Sequence, residues 1–249
     1  MTSVTLPKAL LDQVTTPYRL LGNFAWRFAR GKLGGDPAFA GLLQRGLIPS
    51  HARILDIGCG RGLLAALLCG LDTHPGPSQD WPAGWAPAPR GVSVRGIELM
   101  SRDVERARQA LAHLGARAEF VQGDMCLTDF GRADTIVILD VLHYVNHVAQ
   151  DDVLRRVKTA LIPGGTLLLR IGNATAGLPF RISNGIDIIV NFMRGNRVSR
   201  LYCRPLRDWQ QTLTGLGFEV QTLPMHEGTP FANVLLVARL PASVATATS

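Results

Sequence analysis

Ile54-Leu55-Asp56-Ile57-Gly58-Cys59-Gly60-Arg61-Gly62 decides how this chain is read. An apolar run ends in an acidic residue, glycine then stands at every second position, and an Ala/Leu-rich helical segment follows. Glycine lets a backbone turn tightly and approach a ligand closely. The N–H groups that open the following helix have no partner of their own and can hold a polar group. The stretch predicts a strand, a nucleotide-type cofactor loop and a helix.

Working outward, the first strand spans about Arg53–Ile57 and the helix after the loop runs roughly from Arg61 to Leu71. Residues 72–91 are Pro/Gly-rich and predict an irregular insertion. Strand two is Val92–Glu98. Ser101 can cap the next helix, in which Val104, Ala107, Leu111 and Leu114 share a face and which Gly115 stops. Strand three is about Ala118–Gln122. Strand four, Thr135–Leu139, is a continuous apolar run, as in a strand buried on both faces. A helix over roughly Gln150–Leu161 and the Pro163-Gly164-Gly165 turn lead into strand five, Thr166–Ile171. Pro205–Leu216 reads as a helix. Strands near Phe218–Leu223 and Asn233–Ala238 have a short connection and should be antiparallel neighbours.

Upstream, Leu20, Leu21, Phe24, Ala25 and Phe28 fall on one helical face between Pro17 and about Arg30, with Arg19, Asn23, Arg27 and Arg30 elsewhere. Gly34-Gly35 breaks that helix. Asp36-Pro37 then reads as an N-cap followed by proline in the first helical turn, ahead of Phe39, Leu42 and Leu43. Strands alternating with helices imply right-handed crossovers. The expected fold is α/β: a doubly wound, mostly parallel seven-stranded sheet with an antiparallel last strand and a helical N-terminal cap. Residues 1–50 form the cap, 51–240 the sheet domain with insertions at 72–91 and 172–204, and 241–249 a disordered tail.

Composition narrows the classes. The chain has 249 residues, is 47% hydrophobic, and carries no apolar stretch approaching a membrane span. No signal-peptide pattern opens it, and Cys59, Cys69, Cys126 and Cys203 lack CxxC spacing, so free thiols in the cytoplasm are expected. The formal charge of +7 fits either an acidic partner or a scatter of solvated arginines. Nucleic-acid binding has only this charge behind it, because no basic strip interleaves with stacking aromatics.

Ligands in such sheets sit beyond the C-terminal ends of the strands. There lie Asp56 and the glycine loop, Glu98 with Leu99, Gln122-Gly123-Asp124-Met125, and Asp140-Val141-Leu142-His143-Tyr144. This set resembles the class I S-adenosylmethionine-dependent methyltransferases over about residues 53–171 and more loosely over 205–238. Their D-x-G-x-G-x-G pattern appears as Asp56, Gly58, Gly60 and Gly62, with Cys59 inside it. Their acidic residue at the end of strand two, which takes the ribose hydroxyls, matches Glu98 beside Leu99. The one near the adenine amine matches Asp124, after Gly123 and before the apolar Met125. Their motif after strand four matches Leu139 to Tyr144, including Asp140. A rival nicotinamide fingerprint would need glycine where Leu63 stands. Glu98 lies 40 residues beyond Gly58, and the 72–91 insertion accounts for the excess. That insertion is either a lid presenting Trp81 and Trp85 or a tolerated excursion, since loop closure costs grow slowly with length.

The resemblance implies S-adenosylmethionine as cofactor, with no metal, and in-line methyl transfer to a small-molecule acceptor. His143 is the first candidate for the base, having a pKa near neutrality; Asp140 and Tyr144 are alternates. Tyr18, His143, Arg170 and His226 are candidate substrate contacts. An N/D-P-P-Y motif is absent after strand four, no paired-acid catechol pattern is evident, and no Cys/His cluster has zinc spacing. A small, partly apolar acceptor remains. The wording of 170–207 and 226–237 also resembles the methyltransferases of bacterial aryl-polyene pigment clusters, which implies an aromatic carbon ortho to a phenol, or the phenol oxygen. Gly185–Met193, with Ser183 as a cap, is apolar nearly all round and either roofs a pocket or packs on the core. Arg194, Arg197, Arg200, Arg204 and Arg207 either dock a carrier-protein-bound acceptor or a peripheral membrane lipid, or form a solvated face.

Overall fold

The computed structural model describes residues 5–74, 81–172, 201–225 and 233–242. The seven strands run in the order β3-β2-β1-β4-β5-β7-β6, six parallel and the last in sequence antiparallel. The chain forms two compact units, divided after Thr128.

In the first unit, α1 (Lys8–Thr15) precedes a 3-10 turn (Thr16–Leu21), α2 (Asn23–Gly35) and α3 (Pro37–Gln44). The single helix expected from Pro17 to Arg30 is broken. Gly22 adopts φ +93°, which ends the 3-10 turn and restarts the helix in a new phase. Leu20 and Phe24 consequently point outward, 81% and 75% exposed, and α2 buries Ala25, Ala29 and Leu33 instead. The α3 start matches expectation: Asp36 accepts from the Ala38 amide at 3.0 Å, and Phe39, Leu42 and Leu43 are buried.

β1 (Arg53–Ile57), β2 (Ser93–Glu98) and β3 (Ala118–Gln122) are parallel, with Asp56 beside Gly96 and Gly96 beside Phe120. Between β1 and β2, α4 (Leu63–Gly70) buries every residue from Leu63 to Cys69, as an all-round apolar helix must. Gly96 is required by packing. A Cβ there would lie 2.6 Å from the Cys59 Sγ and 2.9 Å from the Phe120 ring. α5 (Ser101–Leu111) buries Val104, Ala107, Ala110 and Leu111. Ser101 is its first residue rather than its cap. Met100 takes the cap position, its amide fixed by the Glu98 carboxylate, and the helix therefore starts one residue earlier.

Within the insertion, residues 81–90 hold no helix or strand. Trp81 and Trp85 stack edge to face at 5.4 Å, and the Trp81 Nε1 donates to the Ala86 carbonyl. The Ala86 amide in turn donates to Gln44. The two indoles are spent on each other and on this anchorage, which favours a packed excursion over a lid. Residues 75–80 lie outside the described residues.

In the second unit, β4 (Ala133–Leu139) leads to α6 (His147–Ala160), which Asn146 caps by accepting from the Ala149 amide. β5 (Leu161–Gly172) is longer than expected, because Leu161 already pairs with Ala133 before a register shift. α7 (Leu206–Gly215), β6 (Glu219–Pro224) and β7 (Asn233–Arg239) complete the unit, with β7 antiparallel to both β5 and β6. Ile136, Val137 and Ile138 on β4 and Leu167, Leu168 and Leu169 on β5 are fully buried, each contributing about 2 kcal/mol by burial. The helix expected at 185–193, its cap Ser183 and the substrate-side insertion from 173 to 200 lie outside the described residues, as does the tail from 243.

Candidate active site

The glycine loop is built from three left-handed residues, Gly58 at φ +77°, Gly60 at +54° and Gly62 at +74°. Two of them lack a side chain for different reasons. A Cβ on Gly62 would strike the Phe120 ring at 2.8 Å and Leu111 at 2.9 Å. A Cβ on Gly60 would meet nothing within 4 Å, so that side of the loop is open to a ligand. The amides of Gly58 and Cys59 both donate to the Ile97 carbonyl, tying the loop to β2.

Glu98, at the end of β2, holds this arrangement. Its Oε2 accepts from the Gly60 amide and its Oε1 from the Met100 amide, each at 2.9 Å. One carboxylate thus orients the loop and the start of α5. The Gly60 N–H, a natural donor to a ligand carboxylate, is already engaged. Each carboxylate oxygen keeps further lone-pair capacity for incoming hydroxyls. Asp56 is buried behind it, 4% exposed. Burial, then the nearby Glu98 charge, push its pKa up to about 7.

This has a measurable consequence for stability. A raised folded-state pKa contributes stability below the unfolded value near 3.8 that is lost as pH rises toward about 7. The ligand-free protein is therefore expected to lose on the order of 4 kcal/mol between pH 4 and 8 on this account. Urea titrations should show the slope flattened in Asp56→Asn, and equal slopes in both proteins would remove Asp56 as its source.

The other expected cofactor contacts divide. Asp124 Oδ1 accepts from the Cys126 amide at 2.8 Å, while its carbonyl accepts from Leu127 and Thr128 and closes a turn. Gly123 donates its amide to the Glu98 carbonyl, and a side chain there would collide with Thr128. Met125 is half-buried and Leu99 is 62% exposed. Cys59 is not a side-chain contact: its thiol drops against Gly96, away from the open side of Gly60. Tyr18, the candidate substrate contact, is enclosed. It is fully buried, and its hydroxyl donates to the Arg61 carbonyl at 2.8 Å.

In the second unit, Asp140 follows β4 at φ +58°, a conformation Asp tolerates better than most residues. It pairs with Arg170 through Nε–Oδ1 at 2.9 Å and a second bond from Nη2 to Oδ2. Arg170 is 3% exposed while the Asp140 side chain keeps 27%, so the bidentate pair is buried on the arginine side only. Asp140 is thereby committed to a cation rather than poised as a base. Arg170 is held by this carboxylate on β5.

His143 lies in the short 3-10 turn Leu142–Tyr144. Burial lowers its pKa, against a smaller raising effect of Asp140. The imidazole is accordingly neutral near pH 7 and can accept a proton. Tyr144 sits against it, edge to face at 4.4 Å. Gln150 positions this turn, a role that sequence reading missed. Its buried Nε2 shares its two hydrogens among the carbonyls of Leu142, Val145 and Tyr202, all within 3.2 Å, and the Tyr202 amide donates to the His143 carbonyl. A polar residue on the buried face of a predicted helix was the available signal. A small recess is lined by Leu142, His143, Arg170, Cys203 and Trp209, with Ile171 and Gly172. His226 lies outside the described residues.

Comparison with known proteins gives the family. Residues 26–223 match the family model described as a methyltransferase domain. The chain belongs to this methyltransferase family. A carboxy-S-adenosyl-L-methionine synthase of Chromohalobacter salexigens is 28% identical over 131 residues, covering 52% of this chain and 43% of that protein. A ubiquinone biosynthesis O-methyltransferase of Xanthomonas axonopodis pv. citri is 28% identical over 132 residues, covering 52% and 46%. The chain thus spans less than half the length of these curated relatives. The magnesium protoporphyrin IX methyltransferase of Synechocystis PCC 6803, solved with bound S-adenosylhomocysteine, superposes with a TM-score of 0.57 at 19% identity, covering 93% of this chain and 98% of that one. The fold is that of the class I S-adenosylmethionine-dependent methyltransferases. Among the described residues no helix is long and apolar enough to cross a membrane, and no cluster of His, Cys, Asp and Glu is placed to hold a metal.

Proposed function

We propose that this protein transfers a methyl group from S-adenosylmethionine to a small, hydrophobic or aromatic acceptor, with His143 as the base. The observation that carries the cofactor half is the Glu98 carboxylate, fixed by the Gly60 and Met100 amides beside a loop whose Gly60 face is open. These residues fit the cofactor. Glu98 would accept from the ribose hydroxyls and Asp124, through its second oxygen, from the adenine amine. The first amides of α4 would receive the methionine carboxylate.

When bound, the cofactor supplies an activated methyl group on a sulfonium. The protein's part is to place the acceptor in line and to take its proton. Neutral His143 suits a phenol-type hydroxyl, whose ionisation raises electron density at the oxygen and at the ortho carbon. Leu142, Ile171 and Trp209 put apolar surface beside His143, in keeping with a partly apolar acceptor. The relative named for ubiquinone biosynthesis is an O-methyltransferase, in keeping with an oxygen acceptor. So is the aryl-polyene likeness of 170–207 and 226–237.

Docking of a carrier-bound or lipid acceptor through Arg194–Arg207 has less support. Arg204 is turned inward: it pairs with Asp151 at 2.7 Å, donates to the His147 carbonyl and lies over Trp209. Arg207 is exposed. Arg194, Arg197 and Arg200 lie outside the described residues.

The test is incubation with methyl-labelled cofactor and a panel of phenols, with products read by mass spectrometry. His143→Gln should lower kcat at least about a hundredfold with cofactor affinity unchanged. Undiminished turnover would exclude His143 as the base, and failure of the wild type to bind S-adenosylhomocysteine would exclude the whole reading.

A further inference from the structure

We infer that Tyr18, on the N-terminal helical segment, is a positioning residue for the cofactor, acting through the backbone of the glycine loop. The inference rests on the cofactor reading above and adds a determinant that touches no cofactor atom.

The geometry is specific. Gly62 is the left-handed residue ahead of α4, and the α4 ladder begins with the Ala66 amide donating to the Gly62 carbonyl. The Arg61 carbonyl stands just outside that ladder. It lies next to a buried residue, and the Tyr18 hydroxyl reaches it at 2.8 Å from 43 positions upstream. On the other side of the same peptide, the Gly62 amide donates to the Cys59 carbonyl at 2.9 Å. The Arg61–Gly62 peptide plane is therefore pinned at both ends, and one pin belongs to the N-terminal segment.

The Arg61 side chain repeats the connection. Its Nε pairs with Asp103 on the first turn of α5 at 3.0 Å, and its guanidinium lies 4.5 Å from the Phe28 ring centre on α2. Loop, α5 and N-terminal helices thus meet at one residue, and Arg61 is only 9% exposed. Burial drives the Tyr18 hydroxyl pKa far above its ordinary value, so the donor stays protonated across the working pH range.

The functional consequence follows from where this peptide sits. It separates the Gly60 face, open to a ligand, from the first amides of α4. Releasing the Arg61 carbonyl lets the plane rotate and misaligns both. A buried carbonyl without a donor also favours loop conformations that reach water.

The test compares wild type with Tyr18→Phe, which keeps the ring packing and removes only the hydroxyl. Calorimetry with S-adenosylhomocysteine should show Kd raised about five- to tenfold. KM for the cofactor should rise in parallel while KM for the acceptor holds. A fall in melting temperature with Kd unchanged would reduce Tyr18 to a packing role and overturn the inference. Should the variant fail to fold, hydrogen exchange on the wild type decides. Adding S-adenosylhomocysteine should protect amides of residues 16–28 together with 58–63, and protection confined to 58–63 overturns the link. Absence of wild-type binding would instead strike the cofactor reading itself.

Discussion

Glu98→Ala should weaken S-adenosylhomocysteine binding about a hundredfold. The side chain has two tasks. It accepts from the Gly60 and Met100 amides, and it would accept from the ribose hydroxyls. Alanine removes both the preorganisation of the loop and the direct contact. Glu98→Gln is the sharper variant. An amide has one acceptor oxygen, so it can serve only one of the two backbone donors and must turn its NH2 toward the other. Glutamine should therefore recover little of the loss. Calorimetry reads both variants, and a change below about threefold in alanine would remove Glu98 from the cofactor site.

Asp140→Asn should cost about 2 kcal/mol of stability in urea titration. The reason is Arg170, whose guanidinium is buried and balanced by the Asp140 carboxylate through two hydrogen bonds. Asparagine tolerates the φ of +58° at this position, so the substitution isolates charge from backbone strain. Removing Asp140 alone leaves the buried guanidinium without its bidentate carboxylate, whereas removing both takes the charge away with it. Asp140→Ala combined with Arg170→Leu should accordingly be more stable than Asp140→Ala alone. Additive losses in the double variant would show that the two side chains act independently.

Those two sites differ in how far they could be read from sequence. Glu98 was legible because an apolar strand ends on it and a glycine loop precedes it. The same local patterning placed β1, β3 and the α3 cap within a residue of their observed limits. What local patterning does not show was decided by partners distant in the chain. Arg170 is a candidate contact by residue type, and its bond to Asp140, 30 residues earlier, leaves no local mark in the sequence. Tyr18 looked available for a ligand, and its partner is a backbone carbonyl, which leaves no mark on composition or periodicity. Ser101 is a good cap by residue type, but the carboxylate of Glu98 sets the helix start at Met100. In the N-terminal helices an unbroken apolar stripe was misleading, and Gly22 inside it was the overlooked sign.

Cys59 and Gly96 carry a consequence for how this protein can vary. The thiol fits into the gap left in β2 by a missing side chain. Neither position is free to change by itself: an alanine at 96 meets the Sγ and Cβ of Cys59 and the Phe120 ring, and a bulkier residue at 59 runs into β2. The pair should drift together among relatives, so that a covariation signal would link the loop to the middle of the neighbouring strand.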